Sequence, residues 1–181
     1  MTAIPNDKKL TAEEYQRITA GMQERTELID GQIVALAQPS RLHQRIAYRM
    51  YNAIDTFIRA NHGQCEVNGE IEVLLDDANT VVPDVSVTCD PSKLDDRGCK
   101  GAPDWVVEIL STNRNDDLVY KLDLYLKSGV REYWIIDPKY QKAFVYYFEQ
   151  SQNVVKLYDW SDEIPVNIYG GKLTIRIEDL V

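Results

Sequence analysis

The sequence predicts a mixed α/β fold, with a central mixed sheet flanked by helices and extra antiparallel hairpins. Three observations carry that expectation. Leu42, Ile46, Met50, Ile54, Phe57 and Ile58 recur at helical spacing, so a long amphipathic helix lies in the first third. Trp105 to Leu110 is apolar apart from Glu108, the pattern of a short strand buried on both faces. The elements run helix, hairpin, helix, three strands, helix and further strands, an order that suits one sheet with helices packed on it. A chain of 181 residues fits a single domain spanning 1–181, with residues 1–10 as a flexible N-terminal tail.

Each element has a local cause. Thr11 caps a short helix whose first turn holds Glu13 and Glu14. Glu27 to Leu36 reads as a hairpin turning at Asp30-Gly31. Ser40 caps the long helix and Gly63 stops it. Gln64 to Leu75 alternates imperfectly as strand, and Asp76-Asp77-Ala78-Asn79 is a turn. Val81 to Thr88 is apolar enough to be interior. Asp90 to Ala102 is polar and glycine-bearing, so a mobile surface loop is expected there. A helix from about Asp116 to Ser128 ends at Gly129, with Leu118, Leu122, Tyr125 and Leu126 as its core stripe. Glu132 to Asp137 is a strand, and Lys142 to Phe148 with Val154 to Tyr158 forms a hairpin at the sheet edge.

Composition narrows the function. The formal net charge is -9, so the chain lacks the overall basic footprint of nucleic-acid binders. Arg41, Arg45, Arg49 and Arg59 are either a local basic surface or a solvated helix face. No apolar run nears the ~20 residues of a membrane span, and the N-terminus lacks the apolar core of a signal peptide. A soluble, cytoplasmic protein with no membrane partner is expected. Cys65, Cys89 and Cys99 show no metal-ligand spacing and read as reduced thiols. Two histidines are too few for a histidine-based zinc site.

The chemistry is carried by acids in apolar surroundings. Asp84 follows Val81-Val82-Pro83, and Glu108 interrupts the most apolar strand. A carboxylate in such a place is costly unless it is paired or binds a cation. If the two strands are neighbours, Asp84 and Glu108 converge, and a divalent metal between them relieves their repulsion. Oxygen ligands favour Mg²⁺ or Mn²⁺ over Zn²⁺. Such an ion polarises a phosphoryl oxygen and lowers the pKa of a bound water, the chemistry of phosphodiester hydrolysis. The alternative for Glu108 is a place at the sheet edge, paired with a surface lysine or arginine. Lys121 sits at the border of its helix's core stripe. There it either reaches the sheet end to orient the attacking water, or simply lays its stem on apolar surface.

In order along the chain, Pro83-Asp84, Glu108-Ile109-Leu110-Ser111, Lys121-Leu122-Asp123-Leu124-Tyr125 and Gly129 to Pro138 resemble the Uma-type family of restriction endonucleases, within the PD-(D/E)XK nuclease superfamily. Glu27-Leu28-Ile29-Asp30-Gly31 and Pro39-Ser40 with His43 match it as well. The resemblance runs from about Tyr15 to Leu180. It implies a restriction-endonuclease-like core, with Asp84 and Glu108 as metal ligands and Lys121 completing the catalytic set. The superfamily's usual lysine, two residues after the second acid, is replaced here by Leu110, and Lys121 on the next helix takes its part. The usual acid on the first helix is also missing, since Leu42 to Ala60 offers only Asp55.

Further residues are candidate supporters. Glu70 or Glu72, on the strand before Asp84, is a candidate for an extra carboxylate. His43 either contacts the scissile phosphate or an acid, or caps a neighbouring strand. Ser111 either orients water at the site or caps the turn Ser111-Thr112-Asn113.

The leading reading is a Mg²⁺- or Mn²⁺-dependent endonuclease acting on DNA as a homodimer. The alternative is a non-catalytic dimeric interaction module on the same fold, which the acidic charge favours. A hydrolase of small phosphate esters is a third reading. The aromatic group Tyr146, Tyr147, Phe148, Tyr158 and Trp160 forms either a dimer face or a cover for the sheet edge.

Overall fold

The computed structural model describes residues 2–3, 8–111, 117–149 and 154–181. The stretch expected as a flexible tail contributes structure at both ends. Strand β1 (Thr2–Ala3) pairs antiparallel with β3 (Gln32–Ala35), which forms a hairpin with β2 (Thr26–Ile29). Leu10 is buried, and its N–H donates to the Gly31 carbonyl at 2.8 Å. At the expected Asp30-Gly31 turn both residues take positive φ, and a Cβ on Gly31 would lie 2.9 Å from the Lys9 Cβ.

Thr11 caps α1 (Ala12–Thr19) through a reciprocal pair of bonds with Glu14. Ser40 caps α2 (Arg41–Ala60) by accepting the His43 N–H. That helix ends with His62, rather than Gly63, in the left-handed region. The remaining elements of the two large sheets and the last helix are β4 (Glu66–Asn68), β5 (Glu72–Asp76), β6 (Asn79–Val81), β7 (Val85–Thr88), β8 (Leu94–Asp95), β9 (Gly98–Lys100), β10 (Trp105–Ile109), α3 (Asp117–Ser128), β11 (Glu132–Asp137), β12 (Lys142–Tyr147) and β13 (Val154–Asp159).

Two mixed sheets result, with a small antiparallel pair of Ile164–Pro165 and Thr174–Ile175 beside them. One has the order β1-β3-β2-β6-β5-β9-β8, and the other β13-β12-β11-β10-β7-β4. Strands β10 and β11 run parallel, joined through α3, and β7 and β12 flank them antiparallel. Alternate residues of β10 enter different cores. Trp105, Val107 and Ile109 pack with Ile46, Met50 and Ile54 of α2. Val106 packs with Leu124 and Tyr125 of α3 and with Val73 and Val81 of the other sheet. That double burial explains the near-continuous apolar run.

Several expectations need correction. Asp90 to Ala102 is not a plain loop, because β8 and β9 pair with each other and β9 runs parallel to β5. Its polar sequence hides this: only Gly98 and Cys99 of β9 are buried, and a Cβ at Gly98 would meet the Glu72 carbonyl at 2.0 Å. Cys65 and Cys89 are joined by a disulfide rather than reduced. They flank paired strands whose register sets Glu66 opposite Thr88, so the next pair is the two cysteines. Among the described side chains of α3, Lys121, Leu124 and Tyr125 are buried, while Leu122 and Leu126 are half-buried. The Leu118 side chain lies outside the described residues. The aromatic group is largely used within the subunit: Tyr146 stacks on Tyr133 at 5.9 Å between centroids, and the Tyr147 and Tyr158 hydroxyls meet at 3.4 Å.

Glu132 opens β11 fully buried. Its carboxylate accepts the Trp134 indole N–H at 2.8 Å and the Ile168 N–H at 2.9 Å. Burial pushes its pKa up to about 7 against these bonds. The folded state therefore holds a proton that the unfolded chain releases near the ordinary value of 4.5. Stability from this group is complete below that value and falls as pH rises to about 7, by about 3 kcal/mol. Glu132→Gln should flatten this part of the pH dependence in denaturant titrations; an unchanged slope would contradict the assignment.

Candidate functional site

Strand pairing brings the two acids together. Val85 of β7 lies opposite Val107 of β10, so one step further along this register sets Asp84 opposite Glu108. Asp84 is pinned through one oxygen: Oδ2 accepts the Ile109 N–H at 2.7 Å and lies 2.9 Å from His43 Nε2. Ser40 capping sets His43 in the first turn of α2, from which its ring reaches this carboxylate.

Glu108 is held through one oxygen as well. Its Oε1 accepts from Lys121 Nζ at 2.9 Å and from the Tyr125 hydroxyl at 2.9 Å. One helical turn separates Lys121 and Tyr125, so both reach the same atom. Lys121 also donates to Glu27 Oε1 at 2.8 Å, and this oxygen accepts the Val82 N–H at 2.9 Å. Glu27, Glu108 and Lys121 are 0%, 5% and 3% exposed, so the ion triad is interior.

Burial raises the Glu108 carboxyl above its ordinary pKa; Lys121 opposes this, while Asp84 and Glu27 add to it. Burial alone would lower the Lys121 ammonium, but Glu108 and Glu27 outweigh it and hold the group above the usual lysine value. Tyr125 is raised well above a free tyrosine by burial and then by Glu108.

The structure thus brings Asp84, Glu108, Lys121 and His43 into one cluster. Glu108 lies on an interior strand, not at an edge. Glu70 stands apart from the buried triad. It lies in the bend between β4 and β5, at φ 52°, and pairs with Arg25 at 3.0 Å. Ser111 follows β10, and its buried Oγ has no hydrogen-bond partner among the described residues. Residues 112 and 113 of its expected turn lie outside the described residues. Asp55 pairs with Arg59 on the α2 surface.

Open space adjoins Asp84 on two sides. A cavity of about 410 Å³ is lined by His43 and Asp84 together with Tyr48, Tyr51, Asn68 and Glu70. A narrow cleft beyond it shares His43 and Asp84 and adds Arg25 and Ser111. Ser111 also borders a second cavity of about 360 Å³ that ends at Lys139 and Tyr140.

Residues 12–168 match the sequence profile of the Uma2 family, whose description is "Putative restriction endonuclease". The chain belongs to the Uma2 family. It is 35% identical over 108 residues to an uncharacterized protein of Synechocystis sp., covering 57% of this chain and about half, 54%, of that relative. Its fold superposes on the crystal structure of a putative nuclease belonging to DUF820 from Anabaena variabilis, with a TM-score of 0.77 and 26% identity. That match covers 94% of this chain and 97% of the other. The family's description and that of the Anabaena protein both name a nuclease. No helix among the described residues is long and apolar enough to cross a membrane.

Glu27 is the site residue that the sequence reading missed. The further carboxylate comes from the first hairpin, not from the first long helix or from Glu70. Its signal was an acid in Thr26-Glu27-Leu28-Ile29, a strand buried at every position.

Restriction-endonuclease-like families generally use divalent metal ions. No group of three or more His, Cys, Asp and Glu among the described residues is arranged as a ready metal cage. The two site carboxylates still fit an ion that keeps most of its water, as Mg²⁺ does. Each places its hydrogen bonds on one oxygen, leaving Asp84 Oδ1 and Glu108 Oε2 without a protein hydrogen bond among the described residues. Three carboxylates (Glu27, Asp84 and Glu108) share one lysine, with His43 beside Asp84 as the other group that can carry positive charge.

Proposed function

We propose that the protein is a metal-dependent endonuclease that hydrolyses DNA phosphodiester bonds at Asp84 and Glu108. One observation carries the reading: strand register sets two half-engaged, buried carboxylates opposite each other, Asp84 just before β7 and Glu108 on β10, and Asp84 borders an open cavity. Asp84 and Glu108 would hold Mg²⁺ or Mn²⁺ through the oxygens the protein leaves over. When bound, the ion supplies the polarisation that activates a water for attack on phosphorus. His43 and the Ile109 N–H orient Asp84, and Tyr125 and Lys121 orient Glu108. Glu27 fixes Lys121, so it positions the site at one remove. Cutting both strands of a duplex needs two sites, and the reading includes a homodimer. Exposed Val155 and Leu157 on edge strand β13 support pairing at that edge.

Purified protein should nick or cut circular DNA with Mg²⁺ or Mn²⁺ and not with EDTA. His43→Ala leaves Asp84 Oδ2 with the Ile109 N–H alone. It should weaken Mn²⁺ binding by roughly 10- to 100-fold, as loss of an outer partner does; unaltered binding in calorimetry would remove His43 from the site.

A second reading, a non-catalytic interaction module, is favoured by one observation. Lys121 is nearly inaccessible and is engaged by two carboxylates, as a structural ion pair would be.

A further inference from the structure

We infer that the cavity beside Asp84 holds an unpaired nucleobase, so that the DNA entering this site is single-stranded or locally unpaired. The inference rests on the nuclease reading for its polymer and adds the state of the substrate. One wall of the cavity is a face of α2, carrying Gln44, Tyr48 and Tyr51. The opposite wall is the link from Asn68 to Ile71, and Asp84 borders both. Gly69 keeps this wall open: a Cβ there would lie 3.9 Å from the Tyr51 Cδ2 and 3.8 Å from the Asp84 backbone carbonyl. The volume of about 410 Å³ falls in the range of roughly 300–1,000 Å³ typical of small-molecule sites.

The chemistry of the walls selects the occupant. Tyr48 is 69% exposed although its helix has a well-packed apolar face, so its ring serves no core. Aromatic faces beside a backbone-cleaving site are the surfaces on which bases stack. Gln44, exposed on the same face, offers one donor group and one acceptor to a base edge. A base within a duplex has both faces covered by its neighbours, so a concave aromatic pocket serves only a base that has left the stack. Arg41 and Arg45 stand two turns and one turn before Tyr48, and neither makes an ion pair among the described residues. They suit the phosphates flanking such a base and give a -9 chain a local basic edge.

The test is fluorescence anisotropy on the intact chain with divalent metal chelated. A labelled single-stranded oligodeoxynucleotide is compared with its full duplex and with the same sequence as RNA. The single-stranded DNA should bind most tightly. Tyr48→Ala should weaken that binding by about 5- to 100-fold, the range for one lost base–aromatic stack, and leave duplex binding unchanged. Because Tyr48 is exposed, the variant should keep the wild-type melting temperature. An oligonucleotide carrying 2-aminopurine should lose fluorescence on binding wild type and keep it with Tyr48→Ala. Duplex binding as tight as single-stranded binding, tighter RNA binding, no binding, or an unaltered Tyr48→Ala would each overturn the inference. Stacked binding without any cleavage in metal would leave the base site standing and remove the nuclease reading. Cleavage with Tyr48→Ala indistinguishable from wild type would do the reverse.

Discussion

Lys121→Met should destabilise the fold by about 3–5 kcal/mol, the usual result of removing one partner from a buried ion pair. Methionine fills much of the volume of the lysine stem, so the loss is one of charge. Glu27 Oε1 would keep only the Val82 N–H, and Glu108 Oε1 only the Tyr125 hydroxyl. Two carboxylates would then sit in the interior without a cation. The variant's defect should shrink as pH falls. Losing the ammonium raises the folded-state pKa of Glu108 further, so the stability it contributes is present at acid pH and disappears as pH rises through that value. Adding Glu27→Gln to Lys121→Met should recover part of the loss, because one of the stranded charges is removed. Denaturant midpoints across a pH series check all three statements. A Lys121→Met cost under about 1 kcal/mol at neutral pH would mean that the triad does not hold the site together.

Asp84→Asn should abolish divalent-metal affinity while leaving the chain folded. An asparagine oxygen can accept the Ile109 N–H and face His43 as the present Oδ2 does. Its amide nitrogen then takes the place of Oδ1, setting a donor where the ion needs an acceptor. The effect should exceed the roughly 10- to 100-fold that loss of an outer partner produces. Calorimetry with Mn²⁺ on the wild type and the variant, matched by melting temperature, reads it. Equal affinities would move the metal away from Asp84.

Much of this architecture is legible in the sequence, because its strongest signals are local. Thr11, Ser40, Asp30-Gly31 and Gly129 set helix starts, a turn and a helix stop through their own backbone preferences. The run Trp105 to Leu110 announces an interior strand and makes its one acid, Glu108, conspicuous. What stayed hidden depends on distant residues meeting. Glu27 reads as part of a hairpin until α3 delivers Lys121 to it, 94 positions away. Lys121 reads as a border residue because periodicity scores it as polar, whereas two buried carboxylates pull it inside. The Cys65–Cys89 bond follows from strand register, which spacing alone does not reveal. Strand β9 was lost among polar residues because few of its side chains are buried.

The measurement that bears most directly on the account is circular-DNA cleavage by wild type and Glu108→Gln, purified identically and assayed with Mn²⁺, Mg²⁺ and EDTA. Glutamine keeps an oxygen for Lys121 and Tyr125 and replaces the free Oε2 with an amide nitrogen, so the fold should survive. Metal-dependent cleavage by the wild type, reduced roughly a hundredfold or more in the variant, is the expected result. Equal cleavage by both proteins, or none by the wild type with either metal, would contradict it.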